Sequence, residues 1–218
     1  MNWRIPNQLT VARVILAAAF FVLLGLYKQG SDAGRWLLNT AFVLYIVAGI
    51  TDVLDGYLAR KLNITSAFGR IVDPFVDKIL VVGAFAMLGG VNYATAPAFA
   101  GQFERSLPRW LNGDMASAVQ AWMVVVILAR EFVVSAVRGY SESCGIKFPA
   151  TPAGKIKMFI QSFAICTVLY QVANLPQTHW ALYLKVGMVW LATIVTLASG
   201  FVYVSRAKAL MGPTDAPA

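Results

Sequence analysis

The sequence predicts an all-α, polytopic membrane protein with six transmembrane helices and a short N-terminal interfacial helix. Three observations predict it. Of the 218 residues, 59% are hydrophobic and only 13% charged, with a mean hydropathy of +0.67, whereas a soluble domain carries about 25% charged residues. Six apolar runs, at 11–27, 36–58, 75–91, 116–137, 158–172 and 183–204, are long enough to cross or nearly cross a hydrocarbon core of about 30 Å. Lys and Arg are also shared unequally between the connections.

The elements follow in order. Residues 1–10 mix Trp3, Arg4, Ile5 and Pro6, a composition suited to an interfacial lead-in with Pro6 setting a bend. The first run carries Arg13, which places its start at the interface. It lacks a small-residue cleavage site and more runs follow, so it does not read as a cleaved signal peptide. Residues 11–205 form one six-helix domain and 206–218 a cytoplasmic tail, its end Pro- and Ala-rich and expected to be disordered. The stretch 92–115, with Glu104, Arg105, Arg109 and Asp114, is expected to be an outer loop with room for a short surface helix.

One side of the predicted bilayer collects Arg4, Arg13, Arg60, Lys61, Arg70, Lys78, Arg138, Lys147, Lys155, Lys157, Arg206 and Lys208. The other collects Lys28, Arg35, Arg105, Arg109 and Lys185. Twelve against five puts both termini and the segment 60–77 in the cytoplasm. The net charge of +8 on so apolar a chain points to anionic lipid rather than nucleic acid. Cys144 and Cys166 form no CxxC pair and read as free thiols. His179, the only histidine, reads as a solvated interfacial residue, since His-based metal sites need partners at helical spacing.

Four aspartates, Asp52, Asp55, Asp73 and Asp77, fall within 26 residues, at the cytoplasmic end of the second run and the start of the third. An ionised Asp at the bilayer centre costs on the order of 2.5–3.5 kcal/mol and usually has a function. On a helix turning about 100° per residue, Asp52, Asp55, Gly56, Ala59 and Arg60 share an arc of roughly 140°, and the small residues leave room for a ligand against the backbone. Asp73 and Asp77 are neighbours if the third helix begins near them. The Asp73-Pro74 step also fits a cap with Pro74 at the first helical position. Four close carboxylates need cations to stay ionised, and oxygen-only ligands select Mg²⁺ or Mn²⁺, with enough oxygens for two ions. Pairing with Arg60, Lys61, Arg70 and Lys78 at a helix junction is the structural alternative. A cation- or proton-coupled transporter is another, but the chain shows neither repeated halves nor midplane acids.

The series Asp52-x2-Asp55-Gly56-x2-Ala59-Arg60-x8-Gly69-x3-Asp73-x3-Asp77 resembles the signature of the CDP-alcohol phosphatidyltransferase family at every specified position. Further stretches are similar to the bacterial branch that uses glycerol 3-phosphate: Ile5 to Arg13, Asp73-Pro74-Phe75-Val76-Asp77-Lys78, Ala129-Arg130-Glu131-Phe132 and Gly154-Lys155-Ile156-Lys157. Met158 departs from that branch, which often has Thr there, and 92–115 is longer than usual. The resemblance implies a six-helix inner-membrane enzyme, a homodimer with a cytoplasm-facing cavity. Asp52, Asp55, Asp73 and Asp77 would hold Mg²⁺ or Mn²⁺, with Asp77 also the catalytic base. Asn7, Thr10, Gly56, Arg60 and Ser66 would contact CDP-diacylglycerol. The expected reaction moves a phosphatidyl group to sn-glycerol 3-phosphate and releases CMP, with inositol phosphate or serine as alternative acceptors. A phosphomonoester needs cations, and Arg130, Arg138, Lys155 and Lys157 are the candidates; pairing of Arg130 with its neighbour Glu131 is expected to be poor, because adjacent helical residues point apart.

Overall fold

The computed structural model describes residues 4–31, 33–62, 67–94, 115–145, 152–176 and 178–210. Among them are six α-helices: α1 (Arg4–Leu26), α2 (Gly34–Leu62), α3 (Ala67–Leu88), α4 (Ala121–Ser143), α5 (Pro152–Asn174) and α6 (His179–Leu210). A 3₁₀ turn spans Val91–Tyr93, and an isolated antiparallel bridge joins Ala94 to Met115. The described residues contain no strand.

The helices alternate in direction, as contacts at the two ends show. At one end Tyr27 stacks on Tyr93, Ser117 Oγ donates to the Leu88 carbonyl, Asn39 bonds Asn174, and Lys185 Nζ donates to the Ala116 carbonyl. These contacts join the end of α1, the start of α2, the ends of α3 and α5 and the start of α6. At the other end Arg13 meets Asp52, Lys78 meets Ser135, and Lys157 meets Glu131. α1 packs on α2 and α3, α2 on α5, and α6 on α4 and α5. One core, including Phe20, Leu24, Tyr45, Phe85, Ile127 and Ile165, runs between them.

The outer surface is apolar as well. Ile15, Val43, Phe75, Val125, Phe159 and Ile194 are all exposed, the inverse of a soluble fold and the expected face toward lipid. Three stretches, Gly34–Leu54, Gly154–Asn174 and His179–Ser205, are long and apolar enough to cross a membrane, and Thr10–Leu26 is a shorter apolar helix. α3 carries Asp77 and Lys78, and α4 carries Arg130, Glu131 and Arg138, which interrupt their apolar runs.

Two local expectations change. The N-terminal lead-in is not a separate helix, because α1 runs unbroken from Arg4. Pro6 lies in its first turn, where a helix has no use for the missing N–H. Asp73 does not cap α3 with Pro74 at its first position. The helix starts at Ala67 and carries both residues in its interior, against the usual bias at a residue preceding proline. The loop expected at 92–115 lies largely outside the described residues, as does the tail from 211. Cys144 is exposed and Cys166 partly buried, both free. His179 is exposed at the start of α6.

Close approach of α1 to α3 depends on Gly83. A Cβ there would sit 2.6 Å from Phe21 Cζ and 2.8 Å from Cε1. We expect Gly83→Val to force the two helices apart and destabilise the bundle by about 1–3 kcal/mol. Thermal unfolding in detergent would show a lower Tm than wild type, with Gly49→Ala, where nothing lies within 4 Å, as the control.

Candidate active site

Three helices place charged side chains at one end of the bundle. Arg13 lies one turn after the buried Thr10 on α1 and is itself only 1% exposed. Its Nη1 is 2.7 Å from Asp52 Oδ1 on α2 and 3.5 Å from Asp77 Oδ1 on α3. A guanidinium this buried needs anionic partners to offset lost hydration. The sequence counts Arg13 among the cytoplasmic basic residues, and its role as the shared partner of two aspartates goes unread there. The available signal was an ionisable residue in an apolar helix, for which a partner is expected by default.

The donor set fits a hard divalent ion. Two carboxylates from different helices converge on one nitrogen, and their oxygens are the ligand type that Mg²⁺ and Mn²⁺ select. Asp55 and Asp73 lie on α2 and α3 within a turn of Asp52 and Asp77, but their side chains fall outside the described set. So do those of Asn7, Gly56 and Arg60, and Ser66 is outside the described residues altogether. Among the described residues, no three His, Cys, Asp or Glu gather into a metal-binding group.

A cavity of about 330 Å³ opens beside this cluster, and Asp77 forms part of its wall. Arg130, Arg138, Lys155 and Lys157 all line it, so the four basic residues singled out from sequence converge at one place with Asp77. They are not equivalent. Arg138 and Lys155 are exposed, while Lys157 is 4% exposed and faces Glu131 on α4.

The expectation that Arg130 would not pair with Glu131 is overturned. Arg130 Nη1 donates to Glu131 Oε1 at 3.0 Å. Adjacent Cα–Cβ vectors diverge, but a long Arg side chain can curve back. Its guanidinium also lies 5.3 Å from the centre of the Tyr203 ring. Gly200 on α6 admits its stem, since a Cβ there would be 3.1 Å from Arg130 Cγ. Glu131 Oε1 thus accepts from both Arg130 and Lys157. Its backbone carbonyl accepts from Ser135 Oγ, which in turn receives Lys78 Nζ at 2.5 Å. One carboxylate between two buried cations fixes their positions and leaves the pair net positive, as an anion site requires.

A second cavity, of about 270 Å³, lies at the opposite end among Tyr27, Arg35, Gln171 and Lys185. It contains none of the site residues expected from sequence.

Residues 3–198 match the family model for CDP-alcohol phosphatidyltransferase, and the chain belongs to that family. Among curated proteins it is similar to the CDP-diacylglycerol–glycerol-3-phosphate 3-phosphatidyltransferase of Bacillus subtilis (strain 168), 31% identical over 94% of this chain and 95% of the relative. Proteins of the same name from Rickettsia felis and Shigella flexneri serotype 5b are 28% and 29% identical, covering 94% and 96% of this chain and 95% and 97% of their own lengths.

Replacing Arg13 tests the cluster. Arg13→Met leaves Asp52 and Asp77 without their common cation, and with both carboxylates partly exposed the expected loss is about 1–2 kcal/mol. Unfolding in metal-free buffer should show a lower Tm for Arg13→Met, and a smaller drop for Arg13→Lys.

Proposed function

We propose that this enzyme transfers the phosphatidyl group of CDP-diacylglycerol to sn-glycerol 3-phosphate, forming phosphatidylglycerol phosphate and CMP. The observation that carries the reading is the position of Asp77. It belongs to the Arg13–Asp52 cluster and also lines the cavity containing Arg130, Arg138, Lys155 and Lys157. A base so placed stands between a nucleotide-diphosphate site and a phosphomonoester site. The names of the similar proteins support the same substrates.

The chain's own residues would work as follows. Arg130 and Lys157, held by Glu131, bind the acceptor's phosphate, with Arg138 and Lys155 at the exposed rim. That contact orients the sn-1 hydroxyl toward Asp77, which takes its proton. The alcohol oxygen bonds to the phosphorus bearing diacylglycerol as the bond to CMP breaks. Asp52, Asp55, Asp73 and Asp77 would hold two Mg²⁺ or Mn²⁺ ions, which supply charge neutralisation for the diphosphate and the departing CMP. Asn7, Thr10, Gly56, Arg60 and Ser66 would contact the CDP portion.

In the membrane, all six helices would span the bilayer, with the Asp cluster, the basic cavity and both termini on the cytoplasmic side, supported by the Lys and Arg bias. The setting is a bacterial inner membrane, and the enzyme would be a homodimer, as expected from the family. The cationic cavity weighs against an uncharged acceptor; serine fits it poorly, and inositol phosphate remains the rival.

Purified protein should release CMP from CDP-diacylglycerol only with Mg²⁺ or Mn²⁺ and should use glycerol 3-phosphate in preference to inositol phosphate or serine. Asp77→Asn should abolish turnover, by at least about 10³-fold, while retaining most CDP-lipid binding. Glu131→Gln should raise KM for glycerol 3-phosphate about tenfold with little change in KM for the CDP-lipid. Equal activity in excess chelator, or full activity of Asp77→Asn, would defeat the reading.

A further inference from the structure

Gln161 lies one turn beyond Lys157 on α5, is 1% exposed and lines the same cavity. Its amide has a defined orientation. Thr196 Oγ1 on α6 donates to the Ala192 carbonyl at 2.6 Å, so its single proton is committed and it can only accept from Gln161. Gln161 Nε2 makes that bond at 2.8 Å. The carbonyl oxygen, Oε1, is left buried with no hydrogen-bond partner. A buried acceptor without a donor is destabilising, and a ligand that brings a donor recovers the loss. An oxygen acceptor repels a phosphate and attracts a hydroxyl, whereas the Arg130–Glu131–Lys157 group nearby does the reverse.

We propose that Gln161 is a specificity-determining residue for the acceptor, its Oε1 accepting a hydrogen bond from the hydroxyl of glycerol 3-phosphate that does not react. The inference rests on the cavity being the acceptor site. The cations hold the phosphate, Asp77 faces the sn-1 hydroxyl, and Gln161 reads the hydroxyl on the carbon between them. Thr196 acts as a positioning residue, fixing which end of the amide is presented. A site built to bond a hydroxyl rejects the analogue lacking it far more strongly than an apolar pocket rejects a size change.

The test compares glycerol 3-phosphate with 3-hydroxypropyl phosphate, which keeps the reacting hydroxyl and the phosphate but lacks the middle hydroxyl. Wild-type enzyme should prefer glycerol 3-phosphate by about tenfold or more in kcat/KM. Gln161→Leu should lower kcat/KM for glycerol 3-phosphate by about tenfold and alter that for the deoxy analogue by less than about threefold. Thr196→Val, which frees the amide to rotate, should also narrow the preference and guards against misfolding of the first variant. Equal use of both acceptors by wild type, or an equal fall for both in Gln161→Leu with an unchanged preference in Thr196→Val, overturns the proposal. Lys157→Met separates the two layers. A raised KM for both acceptors supports the cavity as the phosphate site, so that an unchanged preference in Gln161→Leu then defeats the Gln161 role alone. No effect of Lys157→Met on either acceptor defeats the cavity assignment, and the Gln161 role with it.

Discussion

The ion pair between buried Arg13 and the carboxylates of Asp52 and Asp77 is the constraint on which the active end of the bundle depends. It ties α1, α2 and α3 at one level, and each of these helices carries a further residue expected from sequence to belong to the site within about a turn of it: Thr10 on α1, Asp55 on α2, Asp73 on α3. Apolar packing in a membrane-facing bundle does not by itself set helix register, since lipid tails compete for the same surface. A charged contact does, because sliding one helix by a turn would strand a guanidinium in an apolar interior. The tight α1–α3 approach at Gly83 acts toward the same end farther along the bundle.

Around this pair the charges divide into two neighbourhoods with Asp77 in common. Toward α1 and α2 the groups are carboxylates sharing one cation. Toward α4 and α5 they are cations sharing one carboxylate, Glu131. The first arrangement suits divalent ions and a diphosphate, and the second suits a free phosphomonoester. Burial of Lys157 and Arg130 strengthens this second site, because their attraction for an anion is less screened than at the exposed Arg138 and Lys155.

Much of this was legible in the sequence, for identifiable reasons. Each of the six apolar runs overlaps one of the six helices, though α3 begins eight residues before its run and α4 ends six residues beyond its run; the basic residues of the cavity stood out because charge is rare in so apolar a chain. What was hidden depends on contacts between helices. Nothing in local spacing says that Arg13 reaches Asp52, 39 positions away, because nearly every helix face is apolar and the packing partners cannot be read from periodicity. Glu131 was discounted by a rule about Cβ directions that a flexible Arg side chain escapes. Pro74 suggested a helix start from a local preference, whereas α3 already begins at Ala67 and runs through it, and Pro6 suggested a break where the first helical turn simply tolerates proline.

The carboxylates of α2 and α3 would form one cation site rather than two unrelated acidic surfaces. Counting bound Mn²⁺ by electron paramagnetic resonance, in detergent-purified protein with CDP-lipid present, addresses it directly. About two ions per chain are expected in wild type, with a comparable loss of binding in Asp52→Asn and Asp77→Asn, since each removes a ligand from the same group. Loss in one variant with wild-type binding in the other would contradict a single site.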